Sequence, residues 1–331
     1  MLVLGIAGTA KNTGKTTTTV AILNHYTQRL ALTSIGYDGE SQDNVTRLPK
    51  PRLKVPAGAL IVTAESCLEA GSARIELLEK TDVTTPLGRL VLGRVWKEGL
   101  AVLAGPNNEG ALRRFISRLE QIGADLLLVD GALGRLAPMA AADGLVLATG
   151  AARTRDLLRL AEETAAIAAT LSLPAAENPL EPILKLGSLL VEKQGEEYAS
   201  LASAQGSVEF NGVVDVKALE VFLDKVDGQP DLIFRDPVKL LLSRDSVETA
   251  AVLEAYAQAG GARVMVRRPL PLKAITVNPF FPKFNEANCQ YTPGYVDADD
   301  IYRTIAGAVS IPVVDVVRQG GAELARVLAL D

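Results

Sequence analysis

The chain has 331 residues, 48% of them hydrophobic and 22% charged, with a formal net charge of -5. That is enough apolar material for a large α/β domain with an addition, and the mildly acidic balance gives no sequence-wide attraction to nucleic acid or anionic lipid. One histidine (His25) and two distant cysteines (Cys67 and Cys289) exclude multi-histidine metal sites, zinc ribbons, disulfide frameworks and hydrolytic triads built on another histidine.

Residues 2–7 are apolar, carry no basic residue and run into glycine, which predicts a buried strand rather than a signal peptide. No apolar run approaches the ~18 to 20 residues of a membrane span, so a cytoplasmic protein with no membrane partner is expected. A helix is predicted over 16–30, with Val20, Ala21, Leu23 and Leu30 on its apolar positions, then a second strand over 33–37 that ends at Asp38-Gly39-Glu40. Residues 47–56, rich in Pro, Lys and Arg, read as a surface loop. Next come a strand at 60–63 and a β-hairpin of 90–96 with 100–103, split by Lys97-Glu98-Gly99. An amphipathic helix over 109–121 precedes the run Leu126-Leu127-Leu128-Val129, which suits a strand buried on both faces. A strand at 144–148 and an Ala/Leu-rich helix at 155–171 repeat the alternation.

Residues 174–212 show no period and predict a linker or irregular insertion. Helix 216–225, strand 231–234, helix 246–258 and strand 262–266 then resume the pattern, and strands 275–277 and 311–317 enclose a last helix over 297–309. The expected fold is α/β: a mostly parallel sheet flanked by helices, plus a hairpin and an inserted region. The expected division is a nucleotide-binding core over 1–173, an additional αβ region over 174–266 and the rest of the core over 267–331.

The chemistry concentrates at Gly8-Thr9-Ala10-Lys11-Asn12-Thr13-Gly14-Lys15-Thr16, directly after a predicted strand and opening a helix. This is the phosphate-binding pattern G-x-x-x-x-G-K-[ST] with one extra residue between the glycines. Glycines let backbone N–H groups curl around phosphate oxygens, Lys15 neutralises the β and γ phosphates, the Thr16 hydroxyl ligates Mg²⁺, and Thr17 can donate to the α-phosphate. An acidic partner for magnesium is needed, and Asp130 ends the run 126–129 at the same sheet edge. Asn278, at a late strand end before Pro279, has an amide that suits the adenine amine and N7, or else forms a turn. Asp224-Lys225-Val226-Asp227 fits the guanine-reading pattern poorly and reads as a solvated helix end. Asn44-Val45-Thr46 matches a glycosylation sequon that has no meaning without secretion.

The segment Asp38-Gly39-Glu40-Ser41-Gln42-Asp43-Asn44, with the phosphate loop, resembles the ParA/MinD ATPases of the SIMIBI class of P-loop NTPases. That resemblance covers the first 150 residues and implies ATP and Mg²⁺ as cofactors, with Asp38 positioning the attacking water and Glu40 in the second acidic place. It also implies a homodimer as one arrangement, although the family's signature lysine position is Ala10 here and Lys11 falls one place later. The longer glycine spacing is similar to that of dethiobiotin synthetase, but that family's lysine after the second strand is replaced by Tyr37-Asp38-Gly39. Gly36-Tyr37-Asp38-Gly39-Glu40, Asp130-Gly131-Ala132 and Asn278-Pro279-Phe280-Phe281-Pro282 together resemble the KamB family of accessory ATPases, which accompany cobalamin-dependent lysine 5,6-aminomutase as reactivase components.

The expected function is a Mg²⁺-dependent ATPase whose cycle acts on a protein partner, slow without it. The alternative is a ligase or kinase of the dethiobiotin synthetase type acting on a small-molecule substrate near Asp38 and Asp130. A nucleotide-binding scaffold that does not hydrolyse is a third reading.

Overall fold

A computed structural model describes residues 1–26, 28–38, 53–202, 206–243 and 245–330. The chain forms two compact units, Met1–Ala161 with Leu272–Asp331, and Glu162–Pro271. The boundaries therefore lie at residues 161 and 271, whereas the sequence suggests 173 and 266.

The first unit begins β1 (Leu2–Gly8), α1 (Lys15–His25), β2 (Leu30–Ser34), β3 (Tyr37–Asp38), β4 (Lys54–Val55) and β5 (Leu60–Ala64). It continues with β6 (Arg74–Thr85), β7 (Gly88–Lys97), β8 (Gly99–Leu100), β9 (Leu103–Ala104), α2 (Glu109–Ile122), β10 (Leu126–Ala132), β11 (Gly144–Gly150) and α3 (Leu157–Leu171), which crosses into the second unit. The second unit contains β12 (Ile183–Leu186), α4 (Glu192–Leu201), β13 (Ser207–Phe210), α5 (Val216–Lys225), β14 (Asp231–Phe234), α6 (Val238–Leu241), α7 (Ser246–Gly260) and β15 (Val264–Val266). The chain returns with β16 (Leu272–Asn278), β17 (Phe280–Asn285), β18 (Gln290–Tyr295), α8 (Ala298–Ala308), β19 (Val313–Val314) and α9 (Gly320–Leu328).

The first unit is built on a nine-stranded sheet in the order β19-β16-β11-β1-β10-β2-β5-β7-β6. Every neighbouring pair from β19 through β5 is parallel, and β7 and β6 add an antiparallel edge. β10 and β11 lie at the centre because their apolar runs can be buried on both faces, which crossover helices make possible in a parallel sheet. The helix starts have local causes. Asn108 accepts from the Ala111 N–H at the start of α2, and Asp215, Asp245 and Asp297 cap α5, α7 and α8 in the same way.

Four expectations are corrected. The helix predicted to residue 30 ends at His25, because Leu30–Ser34 is buried throughout and pairs with β10 and β5. Leu30 fits a helical stripe equally well, and only the neighbouring strands decide between the two. The second strand is accordingly Leu30–Ser34 rather than 33–37, and Tyr37–Asp38 forms a separate ladder with β9. The hairpin is made by β6 and β7. Residues 100–103 do not pair back on 90–96, since β8 pairs with β4 and β9 with β3. β6 is mostly exposed and mixes charged with apolar residues, which hid it from pattern reading. Finally, 174–212 is not irregular: it holds β12, α4 and β13.

The second unit is a four-stranded parallel sheet, β12-β13-β14-β15, in simple sequential order. Alternate residues Val208, Phe210, Leu232, Phe234, Val264 and Val266 pack in one cluster with Leu219, Phe222 and Leu253. Phe210 lies at its centre, 5.4 Å edge-on to the ring of Phe222 and 5.6 Å stacked on Phe234. Truncating this ring removes both aromatic pairs and leaves a cavity. Phe210→Ala is therefore expected to cost about 3 to 5 kcal/mol in urea unfolding followed by circular dichroism, and a loss below about 1 kcal/mol would contradict the packing described.

Candidate functional site

β1 ends at Gly8 and α1 begins at Lys15, so residues 9–14 form the connecting loop at the carboxyl edge of the sheet. Asn12 (φ 64°) and Gly14 (φ 98°) both occupy the left-handed region, which curls the loop inward. Among the described residues, none of the N–H groups of residues 10–14 donates a backbone hydrogen bond. With the N–H groups of the first turn of α1, which have no intrahelical acceptor, they form a run of backbone donors not used by the backbone itself. The Lys15 stem folds back over Gly8, where a Cβ would sit 2.7 Å from Lys15 Cδ and 2.9 Å from Thr13 Oγ1, so only glycine fits.

Three residues of the loop shape it. The Thr9 N–H extends the β11 ladder by donating to Ala148 O at 3.0 Å, and its hydroxyl donates to Thr149 Oγ1 at 3.2 Å. Buried Thr13 donates through Oγ1 to Ala10 O at 3.0 Å, closing the turn. Lys11 is exposed.

The run Thr16-Thr17-Thr18-Thr19 divides by helical period. Thr18 and Thr19 are buried. Thr18 Oγ1 lies 2.8 Å from Thr276 Oγ1 on β16, and Thr19 Oγ1 donates to Lys15 O at 3.1 Å. Thr16 and Thr17 are half-buried, and among the described residues their hydroxyls make no hydrogen bond. Two hydroxyls thus anchor the helix and two remain open to a ligand.

Asp130 is brought to this loop by register. In β10 it sits opposite Ile6 of β1 and Ser34 of β2, and it is 6% exposed. Lys15 Nζ lies 3.6 Å from its Oδ1. Asn278 also reaches the loop, at the end of β16. Its Nδ2 donates to Asn12 O at 3.0 Å, and its Oδ1 accepts from the Phe280 N–H at 3.1 Å. One amide therefore holds both the loop and the start of the β17–β18 hairpin, with one hydrogen and one lone pair left over. Asp38 lies on β3, whose backbone pairs with Leu103 of β9. Glu40 and the rest of the acidic segment lie outside the described residues, as does the sequon at 44–46. Asp224 and Asp227 are exposed at the carboxyl end of α5.

Pattern reading missed Thr149, Thr18 and Thr276. Their role comes from β11 and β16 lying beside β1 and α1, and no local motif announces it. It also missed Arg155, whose guanidinium lies 5.3 Å from the centre of the Phe281 ring at the base of the hairpin.

The two bonds of Asn278 can be separated. Asn278→Asp keeps an acceptor for Phe280 and loses the donor to Asn12, whereas Asn278→Ala loses both. We expect losses of about 1 and about 2 kcal/mol in chemical denaturation, and equal losses would show that only one bond contributes. A scan against protein-family models matches none, and searches of curated proteins and of solved structures find no match.

Proposed function

We propose that this protein is a Mg²⁺-dependent ATPase of the P-loop type, of the SIMIBI class. The observation that carries the reading is a loop of free backbone donors whose lysine, Lys15, faces the buried carboxylate of Asp130 at 3.6 Å across neighbouring parallel strands. The donors of residues 10–15 take the phosphate oxygens, Lys15 turns from Asp130 to the β and γ phosphates, and Thr17 donates to the α-phosphate. Thr16 and Asp130 would hold Mg²⁺, which neutralises phosphate charge when bound. The open Thr16 hydroxyl and the low exposure of Asp130 fit that donor set. Asp38 orients the attacking water, and the unused hydrogen and lone pair of Asn278 read the adenine edge.

The hydrolysis cycle acts on a protein partner. The resemblance to the KamB accessory ATPases makes a cobalamin-dependent aminomutase the partner to test, with this chain as its reactivase. The longer spacing from Gly8 to Gly14 favours the second reading, a ligase or kinase of the dethiobiotin synthetase type. A metabolite that raises ATP consumption, with no protein partner present, would decide for that one.

The direct test is calorimetric titration with ATP and GTP in Mg²⁺, followed by hydrolysis on the same samples. ATP is expected to bind selectively, and Lys15→Ala to weaken it more than tenfold. Asp130→Asn should keep nucleotide binding and lose its magnesium dependence, and Asp38→Asn should cut turnover about 100-fold or more. Unchanged ATP binding in Lys15→Ala overturns the proposal, and equal affinity for GTP removes Asn278 from base recognition.

A further inference from the structure

The second unit, Glu162–Pro271, contains a trough with a volume of about 670 Å³. Ala169 and Leu173 form one wall, at the carboxyl end of α3 and just beyond it, and a stripe of α7 forms the other. That stripe is Ala250, Leu253, Glu254 and Ala257, spaced i, i+3, i+4, i+7, so all four lie on one face of the helix. The buried residues of α7 are Thr249, Leu253 and Tyr256, and Ala257 packs against the same core cluster, so the stripe overlaps the core at Leu253 and Ala257 while Glu254 is exposed. β15 closes the floor with Val264 and Met265.

The trough is wide because three of its six wall residues, Ala169, Ala250 and Ala257, are alanine. Two helices separated by small residues leave a groove that a third can enter, since helices pack at about 8 to 10 Å between axes. The charges at its border are equally specific. Arg263 contributes no net charge, because the buried carboxylate of Asp231 holds its guanidinium through bonds of 2.9 and 2.6 Å. Two exposed acids remain, Glu177 and Glu254. Neither makes an ion pair among the described residues, and Glu254 only accepts from the neutral amide of Gln258 at 3.0 Å. The result is an apolar floor under an acidic border.

We infer that this trough docks an amphipathic helix of a partner protein, with small or aliphatic residues at i, i+3, i+4 and i+7 and Lys or Arg along its flank. Charge selects this occupant. A second copy laid trough to trough would set Glu177 and Glu254 against acids of the same kind, and an anionic ligand would meet the same repulsion. The inference is independent of nucleotide chemistry, and it supplies the surface that a protein partner of the ATPase would need.

The test uses the full-length protein and a fluorescein-labelled 18-residue model peptide, with Leu and Ala on one helical face and Lys on the other. Fluorescence anisotropy compares it with a scrambled peptide of the same composition and with a version carrying Glu for Lys. The basic amphipathic peptide is expected to bind at least tenfold more tightly than either control. Ala257→Trp, which fills the trough, should weaken it at least tenfold. The double change Glu177→Lys, Glu254→Lys should reverse the preference towards the acidic peptide, and this exposed-site variant decides the matter if Ala257→Trp does not fold. ATP binding is expected to stay the same in both variants, so failure here and failure of the nucleotide site are read separately. The inference is overturned if the scrambled peptide binds as well, if border reversal leaves the preference unchanged, if hexylamine binds in the trough and the peptide does not, or if sedimentation shows a dimer that Ala257→Trp dissociates.

Discussion

The register between β1 and β10 is the constraint on which the site depends. Ile6 stands opposite Asp130 and Gly8 opposite Ala132, while β11 brings Ala148 opposite Gly8 on the other side. Side chains alternate along a strand, so a slip of one residue would turn Asp130 to the opposite face and break its approach to Lys15. β10 and β11 are buried almost throughout, which makes such a slip costly, because each apolar side chain would have to be accommodated again on the other face. The loop of residues 9–14 then leaves the sheet where parallel strands end and helices begin, the edge at which donors and crevices gather in α/β folds.

Around that register the loop is held from several sides. Thr9 ties it to β11, Thr13 closes it on itself, Asn278 ties it to β16, and Thr18 pins the following helix to Thr276. Each tie uses a side chain, or the N–H of Thr9, and none of them takes up an N–H group of residues 10–14. A donor surface of this kind is preorganised, because its dipoles need not reorient when an anion arrives. Asn278 has a further consequence: through Phe280 it also holds the base of the β17–β18 hairpin, where Phe280 meets Tyr295 and Phe284 meets Tyr291. Loop and hairpin share one amide.

The second unit follows a different logic. One face of its strands feeds a packed cluster centred on three phenylalanine rings. The alternate positions carry Glu209 and Asp231, both buried, each answered by an arginine near β15: Arg267 for Glu209 and Arg263 for Asp231. Breaking such a pair leaves a buried charge behind, so each acid and its arginine form a unit. The same pairing removes Arg263 from the charge balance of the trough and leaves that border to the two glutamates.

Much of the fold could be read from residues alone where the signal is local and strong. Long apolar runs located β10 and β11, apolar period located α2, α5 and α8, and glycines with Lys15-Thr16 located the loop. The reading failed where a segment has no preference of its own. Leu30 fits a helix stripe or a strand, β6 is mostly exposed and mixes polar and apolar residues, and 174–212 carries short elements stabilised by distant neighbours. By itself, then, the sequence determined the α/β class, the order strand, glycine loop, helix that opens the chain and the chemical types available there, since local backbone preference and burial pattern suffice for these. Only the tertiary structure decided that Asp130 meets Lys15, that Asn278 holds the loop, that the four threonines divide into anchors and open hydroxyls, and that one face of α7 lines a trough. The physical reason is that each of these is a contact between segments far apart in the chain, set by strand order and register, which no window of sequence contains.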